Sequence, residues 1–183
     1  FRFSCELYKT VNKDLLQKAT EDTLEEFDIF KSILRRGLFW YYLEESDIKP
    51  IVREEYKIPC SLIYQRNNHK LLFEVTYYRN RINLEVFHVL TDGTGAMNFL
   101  KTLVSNYLAL AENIEDIGVD YDASSTQKSD DSFSKYYSGK ISSKQENNPV
   151  AYKIVGRKYP DDKLKVINGM VDVKKVLEES HKY

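Results

Sequence analysis

Ile82-Asn83-Leu84-Glu85-Val86-Phe87-His88-Val89-Leu90-Thr91-Asp92-Gly93-Thr94-Gly95-Ala96 holds the change of rhythm on which the fold turns. Ile82–Phe87 is apolar and β-favouring, Thr91-Asp92-Gly93-Thr94-Gly95 is turn chemistry, and from Ala96 onward the pattern is helical. Ala96, Phe99, Leu100, Leu103, Val104, Tyr107 and Leu110 form one broad apolar stripe at helical spacing. Upstream, Lys70–Tyr78 and Ile82–Phe87 flank Arg79-Asn80-Arg81 and predict a hairpin, with Leu71, Phe73, Val75 and Tyr77 marking one face.

Further outward, Phe1, Phe3, Cys5 and Leu7 alternate with polar residues as in a half-buried strand. Asn12 can cap a helix whose stripe is Leu15, Leu16, Ala19, Thr23 and Phe27. Phe30–Leu43 reads as strand on both sides of a Gly37 break, and Pro59–Ile63 as a short strand. The stretch 112–149 is a long polar excursion, acidic and Ser-rich in its first part, with Phe133, Tyr136 and Tyr137 as its anchors. Ala151–Arg157 and Leu164–Val171 are strand candidates, and Asp172 caps a final helix through Val173, Val176 and Leu177. Strands and helices alternate irregularly, so the expected class is α/β or α+β around a mixed sheet, in one domain over 1–183.

Composition narrows the function. The 183 residues are 42% apolar and 30% charged, a globular balance with enough chain for a real core. A net charge of −1 offers no basic field for nucleic acid, and no apolar run is long enough to span a membrane. Only Cys5 and Cys60 occur, which argues against a disulfide framework or a Cys-rich zinc site and fits a reducing, cytoplasmic setting. No signal peptide opens the chain; it starts at Phe1, already in strand, and a segment of something longer is expected.

His88 stands above this background. An imidazole titrates near neutrality and can accept and return a proton within one turnover. Beside it, Asp92 can fix the turn, pair with an arginine or simply cap the helix, and Gly93 permits close approach. A structural histidine at a strand end is the plainer alternative. Other groupings carry less: His88 and Asp92 lack a third ligand for a metal, and Gly93-Thr94-Gly95 is turn chemistry before it is a phosphate cradle. His69 and His181 read as solvated. Trp40, with Phe39, Tyr41 and Tyr42, reads as core and sheet surface before it reads as a stacking platform. The basic run from Lys135 to Lys158 reads as a solvated face before it reads as a contact for phosphate groups.

His88-Val89-Leu90-Thr91-Asp92-Gly93 resembles the HxxxDG signature of the CoA-dependent acyltransferase superfamily, whose type member is chloramphenicol acetyltransferase. The runs Arg36–Leu43, Pro59-Cys60 and Phe99–Leu103 resemble a bacterial branch of alcohol acetyltransferase-like proteins. The resemblance implies the N-terminal half of a mixed-sheet, two-layer sandwich in a two-half enzyme, with the active-site channel between halves. It implies His88 as general base, Asp92 as a structural residue paired with an arginine, and Gly93 as a clear channel floor. It implies no tightly bound cofactor and no metal, with acyl-CoA as co-substrate and a small alcohol or amine as acceptor. The oxyanion donor and CoA-binding residues would lie in the second half, so these 183 residues alone are expected to be inactive. Phe87 replaces the first of the tandem histidines usual in carrier-protein condensation domains, which weighs against that branch. A half-fold would expose an apolar face, and homo-oligomerisation through it is expected. The competing reading is a non-catalytic binding or assembly module that keeps the fold and a relic His88.

Overall fold

The computed structural model describes residues 1–64, 70–114, 153, 155–156, 159–160, 165, 167 and 169–182. The chain divides into two compact units, 1–140 and 141–183. That division falls inside the polar excursion 112–149, within what the sequence presents as one domain. Beyond Ile114 the excursion lies outside the described residues, as do its aromatic anchors, His69 and about half of the two late strand candidates, whose described positions are not in strand.

In the first unit, β1 (Arg2–Glu6), β6 (Arg81–Val86), β5 (Phe73–Tyr78) and β4 (Arg53–Glu54) form a sheet in that order. The first two pairings are antiparallel and the β4–β5 pairing is parallel, so the sheet is mixed, as expected. Helices α1 (Lys13–Glu26) and α2 (Gly93–Glu112) supply the second layer. Leu16, Ala19 and Leu24 of α1 share one core with Ala96, Phe99 and Leu103 of α2 and with Phe73, Val75, Ile82, Leu84 and Val86 of the sheet. At its centre, Phe30 stacks on Phe99 with centroids 4.1 Å apart, while Phe73 meets Phe99 edge-on at 5.3 Å. Two polar residues inside α1 are satisfied locally: the Thr20 and Thr23 hydroxyls donate to the carbonyls of Leu16 and Ala19, each at 2.7 Å. Asn12 caps α1 as its sequence position suggests, accepting from the Asp14 and Leu15 N–H groups.

Between β5 and β6 the chain reverses through Arg79-Asn80, with Arg79 at φ 52°. This left-handed conformation is costly for a residue with a β-carbon, and the β1–α1 connection holds it in place. The Leu7 N–H donates to the Asn80 carbonyl at 2.7 Å and the Val11 N–H to the Arg79 carbonyl at 2.8 Å. A separate antiparallel pair, β2 (Ser32–Arg36) and β3 (Tyr41–Glu45), forms the Gly37 hairpin. A β-carbon at Gly37 would stand 3.1 Å from the Trp40 carbonyl oxygen, which explains the break there.

Three local expectations change. Phe30 belongs to a 3-10 turn over Asp28–Lys31 rather than to the strand, because its ring is taken into the Phe99 cluster. Leu38, Phe39 and Trp40 form an exposed hairpin tip, 85%, 83% and 65% accessible, and not core. A two-stranded hairpin has no layer against its tip, so strand alternation there buries nothing. Pro59–Ile63 is not a strand: Pro59 and Cys60 form a turn with Cys60 at φ 61°, and the Cys60 N–H goes to a side chain instead of a ladder.

The second unit contains α3 (Val173–Ser180). Asp172 caps it through the Lys174 and Lys175 N–H groups, and His181 closes it as an exposed residue.

Candidate functional site

Strand β6 delivers the site. Ile82, Leu84 and Val86 point into the core, so Arg81, Asn83 and Glu85 necessarily occupy the opposite face. The strand ends at Val86, and His88 follows in an exposed turn. The His88 ring lies edge-on to Phe1, centroids 4.9 Å apart. Phe1 is placed there by β1 pairing, since the Val86 N–H donates to its carbonyl at 3.0 Å.

Phe1 also borders a groove of about 210 Å³ lined by Cys60–Tyr64 on one side and Glu85, Val86 and Phe87 on the other. Tyr64 and Phe87 stack nearly parallel across its wall, 5.8 Å between centroids. The aromatic edge of Phe1 thus separates an accessible imidazole from an apolar recess.

Asp92 is exposed, and its carboxylate accepts the Gly95 N–H at 2.8 Å, capping α2. Among the described residues it makes no ion pair with an arginine. Gly93 opens α2, and a β-carbon there would meet only Phe3 Cζ at 4.0 Å, an ordinary contact. Gly95 is the sterically demanded glycine of the pair. A β-carbon at Gly95 would fall 2.1 Å from Thr91 Oγ1 and 3.3 Å from Thr91 Cβ. No cluster able to hold a metal occurs among the described residues, and no described helix is long and apolar enough to cross a membrane.

Behind the groove, the outer face of the sheet is polar and partly buried. Arg2 spans Glu55 at 2.6 Å and Glu85 at 3.3 Å, and Arg81 reaches Glu55 at 2.9 Å. Lys57 pairs with Glu74. Burial opposes ionisation of Glu55, but hydrogen bonds and charge from Arg2 and then Arg81 outweigh it and hold its carboxyl below the usual range. Lys57 is likewise desolvated, yet Glu74 holds its ammonium above the usual lysine value. Burial alone pushes the Cys5 thiol up, which favours its protonated form.

Sequence reading missed Glu85, Phe1 and Cys60 as site neighbours. Period-two alternation marks Glu85 as facing away from the core, and an Arg2–Glu85 pairing across β1 and β6 would have located it. The Cys60 contact depends on a loop folding over the sheet, for which no local signal exists.

No protein-family model matches the sequence, and no curated protein matches it. Among solved structures, the chain is similar to the starter condensation domain of rhizomide synthetase RzmA at 12% identity and a TM-score of 0.52. That likeness covers 66% of this chain and 34% of that one. VibH, an NRPS condensation enzyme, aligns at 17% identity and a TM-score of 0.45, over 64% of this chain and 32% of that one. This chain therefore shares part of the condensation-domain fold and spans about a third of the length of the condensation domain it matches.

Proposed function

We propose that the full-length protein is an acyltransferase of the alcohol acetyltransferase-like type, moving an acyl group from acyl-CoA to a small alcohol or amine. His88 removes the acceptor's proton, and the oxygen or nitrogen attacks the thioester carbonyl. Collapse of the tetrahedral intermediate breaks the C–S bond, and protonated His88 returns its proton to the departing thiolate. Asp92 acts through geometry, fixing the start of α2 and with it the turn that carries His88. The observation that carries this reading is an exposed imidazole at the exit of β6, against the ring that borders the groove. The condensation-type fold supports acyl transfer as the reaction class.

A screen of acyl-CoAs against alcohols and amines, following free thiol with the full-length protein, tests it. Turnover in the wild type should fall by about 10²–10⁴-fold in His88→Ala. Thiol release that persists unchanged in His88→Ala overturns the base assignment. No turnover with any acceptor moves the protein to the binding-module reading.

A further inference from the structure

The β2–β3 hairpin carries a gradient of exposure and of charge along its length. Accessibility climbs from 45% at Tyr42 through Tyr41, Trp40 and Phe39 to 85% at Leu38. The Gly37 N–H donates to the Trp40 carbonyl at 2.7 Å, so Leu38 and Phe39 head a tight turn. The Phe39 and Trp40 rings lie 6.3 Å apart. One rung behind them, Arg36 sits opposite Tyr41, and Arg35 follows opposite Tyr42. Arg36 is exposed and makes no ion pair among the described residues, whereas Arg35 pairs with Glu44. No acid occurs from Arg35 to Leu43. Glu45, at the hairpin base, faces Ser32, four residues or about 13 Å from the Arg36 rung.

That order is the polarity profile of a bilayer surface. Aliphatic and phenyl side chains favour the acyl boundary, Trp and Tyr the interface, and cationic side chains the level of anionic headgroups. A second copy meeting this tip symmetrically would instead bring two Arg36 side chains together. We infer that the tip docks on an anionic lipid surface, with Leu38, Phe39 and Trp40 inserted and Arg36 on lipid phosphates. Tyr41 and Tyr42 then lie at the interface. Insertion by about 5–10 Å suits a tip of this length. The Glu45 carboxylate is then farther from the phosphates than a Debye length, about 8 Å at physiological salt. The inference does not rest on the acyl-transfer reading.

Trp40 supplies the readout, because it is the one tryptophan of these 183 residues. The full-length protein is sedimented with vesicles of phosphatidylcholine alone or in equal parts with phosphatidylserine. Trp40 emission is taken as the difference from Trp40→Phe, a variant that should still sediment. The mixed vesicles should bind more tightly and shift that emission to the blue, and brominated acyl chains should quench it. Arg36→Gln should weaken binding to the mixed vesicles about fivefold, the share of one basic side chain at an anionic surface. Phe39→Ser with Trp40→Ser should abolish sedimentation with the circular dichroism spectrum intact, since both side chains are exposed. No sedimentation with the mixed vesicles, or sedimentation untouched by the double serine variant, overturns the assignment. Trp40 emission already blue-shifted before vesicles are added also overturns it, because the tip is then covered by protein.

Discussion

The two hairpins of the first unit are built alike and fare differently. The β5–β6 hairpin has a neighbour along each edge, helices on one face and a charged network on the other, so Asn83 in its middle is fully buried. The β2–β3 hairpin has only itself as a sheet, and its tip carries Leu38, Phe39 and Trp40 into solvent. Both sequences are rich in aromatic and β-branched residues. Strand propensity therefore makes the hairpin, and covering layers decide whether its side chains become core or surface.

The largest effect should come from cutting into the buried hairpin's cover. Phe99→Ala removes the ring on which Phe30 and Phe73 pack and should cost about 3–5 kcal/mol in denaturant unfolding. A loss under about 1 kcal/mol would mean the two hairpins do not differ in the way their burial indicates.

The polar side of the same hairpin should yield next. Glu55→Gln leaves Arg2 and Arg81 without their shared carboxylate and should cost about 1–3 kcal/mol. Because the folded Glu55 titrates below its ordinary value of 4.5, its contribution is complete above that pH. It is lost as pH falls through the lower folded value, and the variant should flatten this acid limb of the stability curve. An unchanged acid limb in Glu55→Gln would remove the network from the account.

Where β6 hands over to α2, glycines sharpen the contrast. Alanine in a helix normally gains on glycine by up to about 1 kcal/mol. Gly93→Ala should conform to that rule, whereas Gly95→Ala should destabilise by about 1–3 kcal/mol through the Thr91 contact. Equal melting temperatures for the two variants would show that Thr91 simply turns aside.

The smallest effect on stability belongs to the exposed hairpin. Phe39→Ser with Trp40→Ser should shift unfolding by no more than about 0.5 kcal/mol. The same pair should reduce any concentration-dependent association seen by light scattering, since apolar tips of this kind favour contact. A loss of several kcal/mol would place the tip in a packed interior and erase the difference between the hairpins.

Much of the fold is legible in the residues. Asn12, Asp92 and Asp172 each announce a helix start because a short polar side chain can pair with N–H groups two or three residues on. The hairpin around Arg79-Asn80 and the stripe of α2 emerge from periodicity, which is set by backbone geometry alone. His88 is singled out as a candidate base by its place between a strand and a turn, and the structure puts it in that place, exposed and beside Phe1.

Local sequence could not decide what lies across a gap. The two-residue β4, the Cys60 turn and the Arg2–Glu55–Arg81 network join residues more than twenty positions apart. Their partners are chosen by how layers stack rather than by neighbours in the chain. Trp40 and Phe99 make the same point from opposite sides: each is a large ring in an apolar run, one exposed and one at the centre. Which segments become strand or helix is written in the residues themselves, because propensity, capping and period are short-range. Which apolar face finds a cover, and which carboxylate is shared between two arginines, is set only when the layers pack, because burial belongs to the whole molecule.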